Sequence, residues 1–206
     1  MQRPLRFGKD GPVAGVDEAG RGPLAGPVVA GAVILRVEDP IEGLADSKTL
    51  SASRRSELAE QIMQRSLAWS VAWADPAEID LLNILQATLL AMRRAILGLR
   101  LQPAYVEVDG NRLPNLCFHE RQIDGCAVVG GDSRIPAISA ASIIAKVRRD
   151  EIMREMDVIY PEYGFRQHKG YATADHRERL GQFGPCREHR RSFSPISAMK
   201  NGRQYD

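Results

Sequence analysis

Four carboxylates in this chain sit where apolar stretches give way to glycine. Asp17 and Glu18 follow the apolar residues 13–16 and lead into Gly20-Arg21-Gly22. Asp109 closes the apolar run 104–108 and precedes Gly110, while Asp132 follows residues 127–129 and Gly130-Gly131. If these stretches are neighbouring strands, the acids gather in one region of a sheet. Ionised carboxylates crowded there repel one another and lose hydration, so a cation among them makes chemical sense. An all-oxygen donor set indicates a hard ion, Mg²⁺ or Mn²⁺, rather than zinc. Two such ions, roughly 4 Å apart, suit phosphodiester cleavage. Asp-Gly is also a common turn dipeptide, so Asp109 alone says little. The Asp17-Glu18 pair says more. Successive strand side chains point to opposite faces, so both acids serve one site only where the strand ends or bends, which Gly20 and Gly22 permit. No GxxxxGK[ST] phosphate loop is present, and no Ser–His or Cys–His pair stands out as a nucleophile.

The elements that must hold these acids follow from pattern. Residues 13–16 and 28–35 (VVAGAVIL) read as buried strands, and the short Gly- and Pro-containing link suits an antiparallel pair. Residues 51–65 read as a helix capped by a serine at its start. Residues 67–74 (LAWSVAWA) read as a third strand, after which Asp75 is placed to cap a short helix with Pro76 at its first position. Leu85, Leu89, Met92, Ile96 and Leu99 recur at spacings of four and three, predicting one buried face of a helix over 83–99. Residues 104–108 and 127–129 predict two more strands. A helix over 139–156 starts with small residues that permit close approach to a sheet. Another helix is expected around 174–182. The order predicts an α/β protein: a mixed central β-sheet flanked by helices, then a small C-terminal helical lobe packed on it. The expected division is 1–157 and 158–206.

Composition narrows the class. A chain of 206 residues with 44% apolar and 26% charged residues and a net charge of +2 is an ordinary globular protein, with no strong overall bias toward an acidic or basic partner. The tail carries a local basic excess, Arg187, Arg190, Arg191, Lys200 and Arg203 against Glu188 and Asp206, which suits phosphate. Cys117, Cys126 and Cys186 are scattered; with His119 the first two lack a fourth zinc ligand at suitable spacing, and reduced thiols are expected. There is no apolar signal core at the start and no membrane-length apolar run, so a cytoplasmic protein without membrane contact is expected.

Seven blocks, in order, resemble bacterial ribonuclease HII: GVDEAGRGPLAGPVVAGAV (15–33), DSKTLS (46–51), LNILQAT (82–88), VDGN (108–111), GDSRIPAISAASIIAKVRRD (131–150), YGFRQHKGYATADH (163–176) and HRRSFSP (189–195). The resemblance implies a ribonuclease H-like fold and a metal-dependent endoribonuclease. Its expected substrates are RNA–DNA hybrids and duplex DNA carrying single ribonucleotides, which it incises 5′ to the ribonucleotide, leaving 3′-hydroxyl and 5′-phosphate ends. It implies that Asp17, Glu18, Asp109 and Asp132 hold Mg²⁺ or Mn²⁺, two ions in the substrate complex. It further implies that Gly20, Arg21 and Gly22 contact the ribose 2′-hydroxyl and neighbouring phosphate, with main-chain groups reaching a shallow groove where no side chain intervenes. Tyr171 matches a tyrosine that packs against the sugar following the ribonucleotide. Lys48, Lys146, Arg191 and Ser192 fall in blocks expected near the nucleic-acid backbone. A monomer is expected. His168 and His176 are read as structural, since nothing in the sequence brings them to the metal site. The connection LPNLCFHERQIDGCAVV (113–129) departs from the family pattern, and no motif follows Pro195.

Overall fold

The computed structural model describes residues 11–44, 50–118 and 121–199. A five-stranded sheet forms its centre, built from β1 (Val13–Ala19), β2 (Val28–Ile34), β3 (Ala68–Ala74), β4 (Tyr105–Asp109) and, after a two-residue-stranded hairpin of β5 (Cys117–Phe118) and β6 (Arg121–Gln122), β7 (Asp124–Val128). The order across the sheet is β3-β2-β1-β4-β7. β1 pairs antiparallel with β2 and parallel with β4, and β4 pairs parallel with β7, so the sheet is mixed as expected. All seven residues of β2 are buried, which its unbroken apolar sequence requires of a strand covered on both faces.

Helices fill both faces. α1 (Ala52–Arg65) starts where the Ser51 side chain accepts from the Arg54 N–H. α2 (Pro76–Leu82) begins with a complete capping box between Asp75 and Glu78, with Pro76 in its first turn. α3 (Ile84–Leu97) covers one face, packing on Ala14, Val16, Ala30, Ala32 and Ile34. Its innermost residues are Ala87, Ala91 and Ala95 together with Met92 and Ile96, whereas Leu85 and Leu89 are only half-buried. The leucine stripe places the buried face slightly off, because alanines let the helix axis come closer to the sheet and push the flanking leucines to its margin. α1 and α4 (Pro136–Ile159) cover the opposite face through Leu58, Ile62, Ala140, Ile143 and Ile144.

The seat of α4 is set by glycine. A Cβ on Gly15 would lie 2.1 Å from the Ala137 carbonyl carbon, and one on Gly31 2.4 Å from the Ala141 oxygen. Bare positions on β1 and β2 facing small residues on α4 therefore let helix and sheet approach to main-chain contact. After α4 come α5 (Phe165–His168) and α6 (Ala174–Phe183). This segment is tied back to the β1–β2 connection by the Leu24 N–H, which donates to Gly170 O at 2.8 Å, and by the Arg190 N–H, which donates to Leu24 O at 2.8 Å. Among the described residues no helix is long and apolar enough to cross a membrane.

Boundaries move furthest in three elements. β1 runs on through Asp17 and Glu18 to Ala19, because its pairing with β2 continues to Ala19↔Val29; a charge does not end a strand when its side chain leaves the sheet plane. β7 starts earlier than residue 127, at Asp124, where pairing with Tyr105 begins. α4 is longer at both ends than 139–156, with Pro136 in its first turn.

Candidate active site

The acids meet at the carboxyl ends of the parallel strands. The register Val16↔Val108 carries on by one residue to bring Asp17 level with Asp109. Val106 and Val108 pack with α3, so alternation turns Asp109 to the α4 face, the face to which Gly15 and Asp17 also point. Past the end of β7 the chain turns at Gly130 (φ 63°) into a 3₁₀ turn, Gly131–Ser133. The Gly131 N–H donates to Asp109 Oδ1 at 2.7 Å, and the Asp132 N–H lies 3.4 Å from the same oxygen. This fixes Asp132, itself buried, beside Asp109.

Asp17 is buried, at 5% exposure. Burial, with the Glu18 and Asp109 charges adding to it, pushes its carboxyl well above the usual range; hydrogen bonds from Ser142 on α4 and from the Glu18 N–H (2.7 Å) offset this only in part. Glu18 is also raised, first by burial and further by Asp109, against the pull of Arg21, whose Nη1 lies 3.3 Å from Glu18 Oε1. Among the described residues no three His, Cys, Asp or Glu side chains converge closely enough to hold an ion unaided. The donor set still fits a hard divalent cation. Its donors are all carboxylate oxygens, and the ionised forms of Asp17 and Glu18 are held back by burial and neighbouring negative charge that a cation would relieve. Mg²⁺ in particular takes one or two carboxylates and completes its shell with water and substrate phosphate.

Beyond Glu18 the loop exposes Arg21 and Gly22. Gly20 has φ +94°, and a Cβ there would sit 1.9 Å from Arg149 Nε, so both conformation and space demand glycine. A Cβ on Gly22 would meet nothing nearer than Tyr171 Cε1 at 3.9 Å; the protein itself does not force glycine there. Tyr171 thus borders the loop and is 46% exposed. Its backbone is pinned: its N–H donates to His168 O at 2.9 Å, and its carbonyl accepts from Thr173 N at 2.8 Å and bonds His176 Nδ1 at 2.9 Å.

That last bond belongs to a buried histidine cluster. Tyr171 O can only accept, so His176 Nδ1 carries the proton and its Nε2 is an acceptor. His189 Nε2, 3.1 Å away, then donates to it, leaving His189 Nδ1 to accept from the Cys186 N–H at 3.1 Å. His168 stacks on His176 at 4.2 Å, donates to Tyr163 O at 2.8 Å and accepts from the Gly170 N–H. Burial pushes His189 down to about 3 and lowers His176 as well. These histidines brace the segment that carries Tyr171. Cys117, Cys126 and Cys186 form no disulfide among the described residues.

The remaining predicted residues are placed as follows. Lys146 on α4 makes a 2.6 Å ion pair with Asp150 one turn on. Arg191 and Ser192 offer their N–H groups, and Ser192 its hydroxyl, to the Asp80 carboxylate at 2.6–2.8 Å. Lys48 and His119 lie outside the described residues. Two fully buried residues donate into the loop: Arg149, which the sequence reading did not single out, and Arg190, which it counted only within the basic tail and which the fold withdraws from solvent. For Arg149 a signal exists, since Ala141, Ala145, Arg149 and Met153 recur every four residues on the inward face of α4. For Arg190 none does, because nothing distinguishes it from its neighbour Arg191.

Comparison with known proteins gives a family. A family model described as ribonuclease HII matches residues 14–196. A ribonuclease HII of Paracidovorax citrulli is 58% identical over 197 residues, covering 96% of this chain and 80% of that protein. One from Polaromonas sp. is 56% identical over 198 residues, covering 96% and 97%. The crystal structure of ribonuclease H2 from Pyrococcus horikoshii OT3 superposes with a TM-score of 0.75 at 29% identity, covering 91% of this chain and 96% of that one. The fold is that of the ribonucleases H.

Proposed function

From the premise that this chain belongs to the ribonuclease HII family, and is therefore a ribonuclease H, we propose that it cuts the RNA strand of RNA–DNA hybrids and incises 5′ to single ribonucleotides in duplex DNA. The ends left are a 3′-hydroxyl and a 5′-phosphate, and the cellular role is removal of ribonucleotides from DNA. One observation carries this reading: buried Asp17 and half-buried Glu18, level with Asp109 on β4, run on through Ala19 into a loop whose Arg21 and Gly22 are exposed.

Asp17, Glu18, Asp109 and Asp132 would hold Mg²⁺ or Mn²⁺. Bound there, such ions supply the Lewis acidity that activates water and stabilises the leaving oxygen. The chain's own contributions are positional. The Gly131 N–H and Ser142 orient Asp109 and Asp17. Gly20, Arg21 and Gly22 reach the ribose 2′-hydroxyl and the adjoining phosphate with peptide groups, because a shallow minor groove is open to an unobstructed backbone. Tyr171 packs on the next sugar, where its ring accepts deoxyribose and disfavours a second hydroxyl. Arg191 and Ser192, with Lys48 and Lys146, lie along the nucleic-acid backbone; for Lys146 this requires leaving Asp150. Residues 1–157 form the catalytic part and 158–206 the substrate-binding extension, in a cytoplasmic monomer.

The test is a nicking assay with Mg²⁺ or Mn²⁺ on a duplex containing one ribonucleotide beside an identical all-DNA duplex. The expected result is a single nick 5′ to the ribonucleotide and none in the control. Comparable cutting of both duplexes would replace this reading with a general two-metal DNA nuclease.

A further inference from the structure

Arg149 and Arg190 head the fully buried side chains, each at 0% exposure. A guanidinium stays charged at neutral pH, and burying one without a carboxylate partner is costly. Among the described residues both donate to main-chain oxygens. Arg149 Nε, Nη1 and Nη2 reach Pro27 O at 3.1 Å, Lys169 O at 3.0 Å and Ala25 O at 3.2 Å. Arg190 Nε, Nη1 and Nη2 reach Gly26 O at 2.9 Å, Arg21 O at 2.8 Å and Gly20 O at 2.6 Å. Every acceptor but Lys169 lies in the loop between β1 and β2.

The consequence follows from the planar trans peptide, in which C=O and N–H point in opposite directions. When Arg190 draws the Gly20 and Arg21 oxygens inward, the N–H groups of Arg21 and Gly22 in the same peptide units turn outward. Both residues are exposed there. Arg149 backs the same segment, lying against Gly20, and its guanidinium carbon stands 6.0 Å from the Tyr171 ring. One pair of side chains thus sets the loop and borders Tyr171. The pair also leaves two buried positive charges compensated by peptide dipoles, and such charge under a surface of outward N–H groups attracts anions.

Building on the proposed recognition of ribose by this loop, we infer that Arg149 and Arg190 are positioning residues. They clamp its carbonyl side so that its N–H side meets the sugar-phosphate. Neither touches substrate. The role needs arginine: its rigid fork reaches three oxygens at once, whereas a lysine ammonium is a point charge on a flexible stem.

The test is Arg190→Lys, which keeps the charge and removes the fork, beside Arg190→Gln, which removes both. Binding of a duplex with one ribonucleotide and of its all-DNA twin is measured by fluorescence anisotropy in chelator, with melting curves for each variant. Arg190→Lys is expected to lower the ribonucleotide-to-DNA affinity ratio about tenfold while all-DNA binding stays near the parent's, because unsatisfied polar contacts to one hydroxyl carry the discrimination. Arg190→Gln is expected to weaken binding of both duplexes as well as lowering the ratio. An Arg190→Lys ratio equal to the parent's overturns the inference, as does equal loss on both duplexes in a protein that melts normally. If Arg190→Lys melts early, Arg149→Lys is judged by the same ratio. A parent that shows no preference overturns the proposed recognition and this inference with it, whereas a discriminating parent with an equally discriminating variant overturns the inference alone.

Discussion

The acids at the ends of β1 and β4 and the histidines of the C-terminal segment are both sets of titratable groups withdrawn wholly or partly from solvent, and they are satisfied in opposite ways. In the histidine set every assigned ring nitrogen of His168, His176 and His189 has a protein partner, and the chain of bonds from Cys186 to Tyr171 closes only when the rings are neutral. Burial then lowers His189 and His176, and the neutral form is the one the structure uses. In the acid set the burial of Asp17 and Glu18 is compounded by the Asp109 charge, and the hydrogen bonds present do not cancel it. A cluster of titratable residues is therefore not by itself a site. What separates the two is whether the protein completes the electrostatics from within or leaves them to a partner.

The largest effect expected from breaking this contrast is catalytic. Asp109→Asn should lower ribonucleotide-directed nicking by about a hundredfold or more, through loss of a metal-holding charge, without lowering the melting temperature. A variant as fast as the parent would remove Asp109 from the site. Next in size is His189→Ala, which deletes the middle of a satisfied buried network. It should cost about 2–4 kcal/mol in denaturant unfolding. The Mn²⁺ concentration giving half-maximal nicking should stay where it is; a shift would tie the histidines to the metal site and dissolve the comparison.

The smallest effect is in pH dependence, where the two sets have opposite signs. Asp17 and Glu18 are raised in the folded state, so their contribution is fully present below the ordinary carboxylate range and is lost as pH rises through the raised values. His189 is lowered to about 3, so its contribution is present above 6.5 and is lost as pH falls from there toward about 3. In chelator, Asp17→Asn should therefore gain stability over the parent with rising pH, whereas His189→Ala should lose its deficit with falling pH. Melting curves from about pH 4 to 8 read both limbs, and parallel curves would show that neither set is strained as described.

Much of the scaffold was legible because its signals are local. The Asp75 cap followed by Pro76, a serine cap at the start of α1 and the all-apolar β2 are decided by residues within a few positions of one another, while the return bond from Glu78 and the choice of Ser51 appear in the structure. The β5–β6 hairpin was not legible, since strands of two residues carry no alternation to read. The α3 face was read from its large residues, while packing chose its small ones. Ser142 and Asp80 emerge only once α4 lies against Asp17 and the 191–192 backbone reaches α2.

By itself the sequence determined the kinds of atom available: carboxylate oxygens followed by bare glycine peptides, and no thiol or imidazole set suited to the same task. The tertiary structure decided which of them face one another. The Val16↔Val108 register and the glycine-permitted seat of α4 bring Asp17 and Asp109 to one face, and the 130–132 turn lays the Gly131 and Asp132 backbone against Asp109. Burial of Arg190 rather than Arg191 turns the loop's carbonyls inward. Pattern along a chain describes one element at a time, whereas charge interaction and desolvation depend on what packs across the gap, and that distance exists only in the fold.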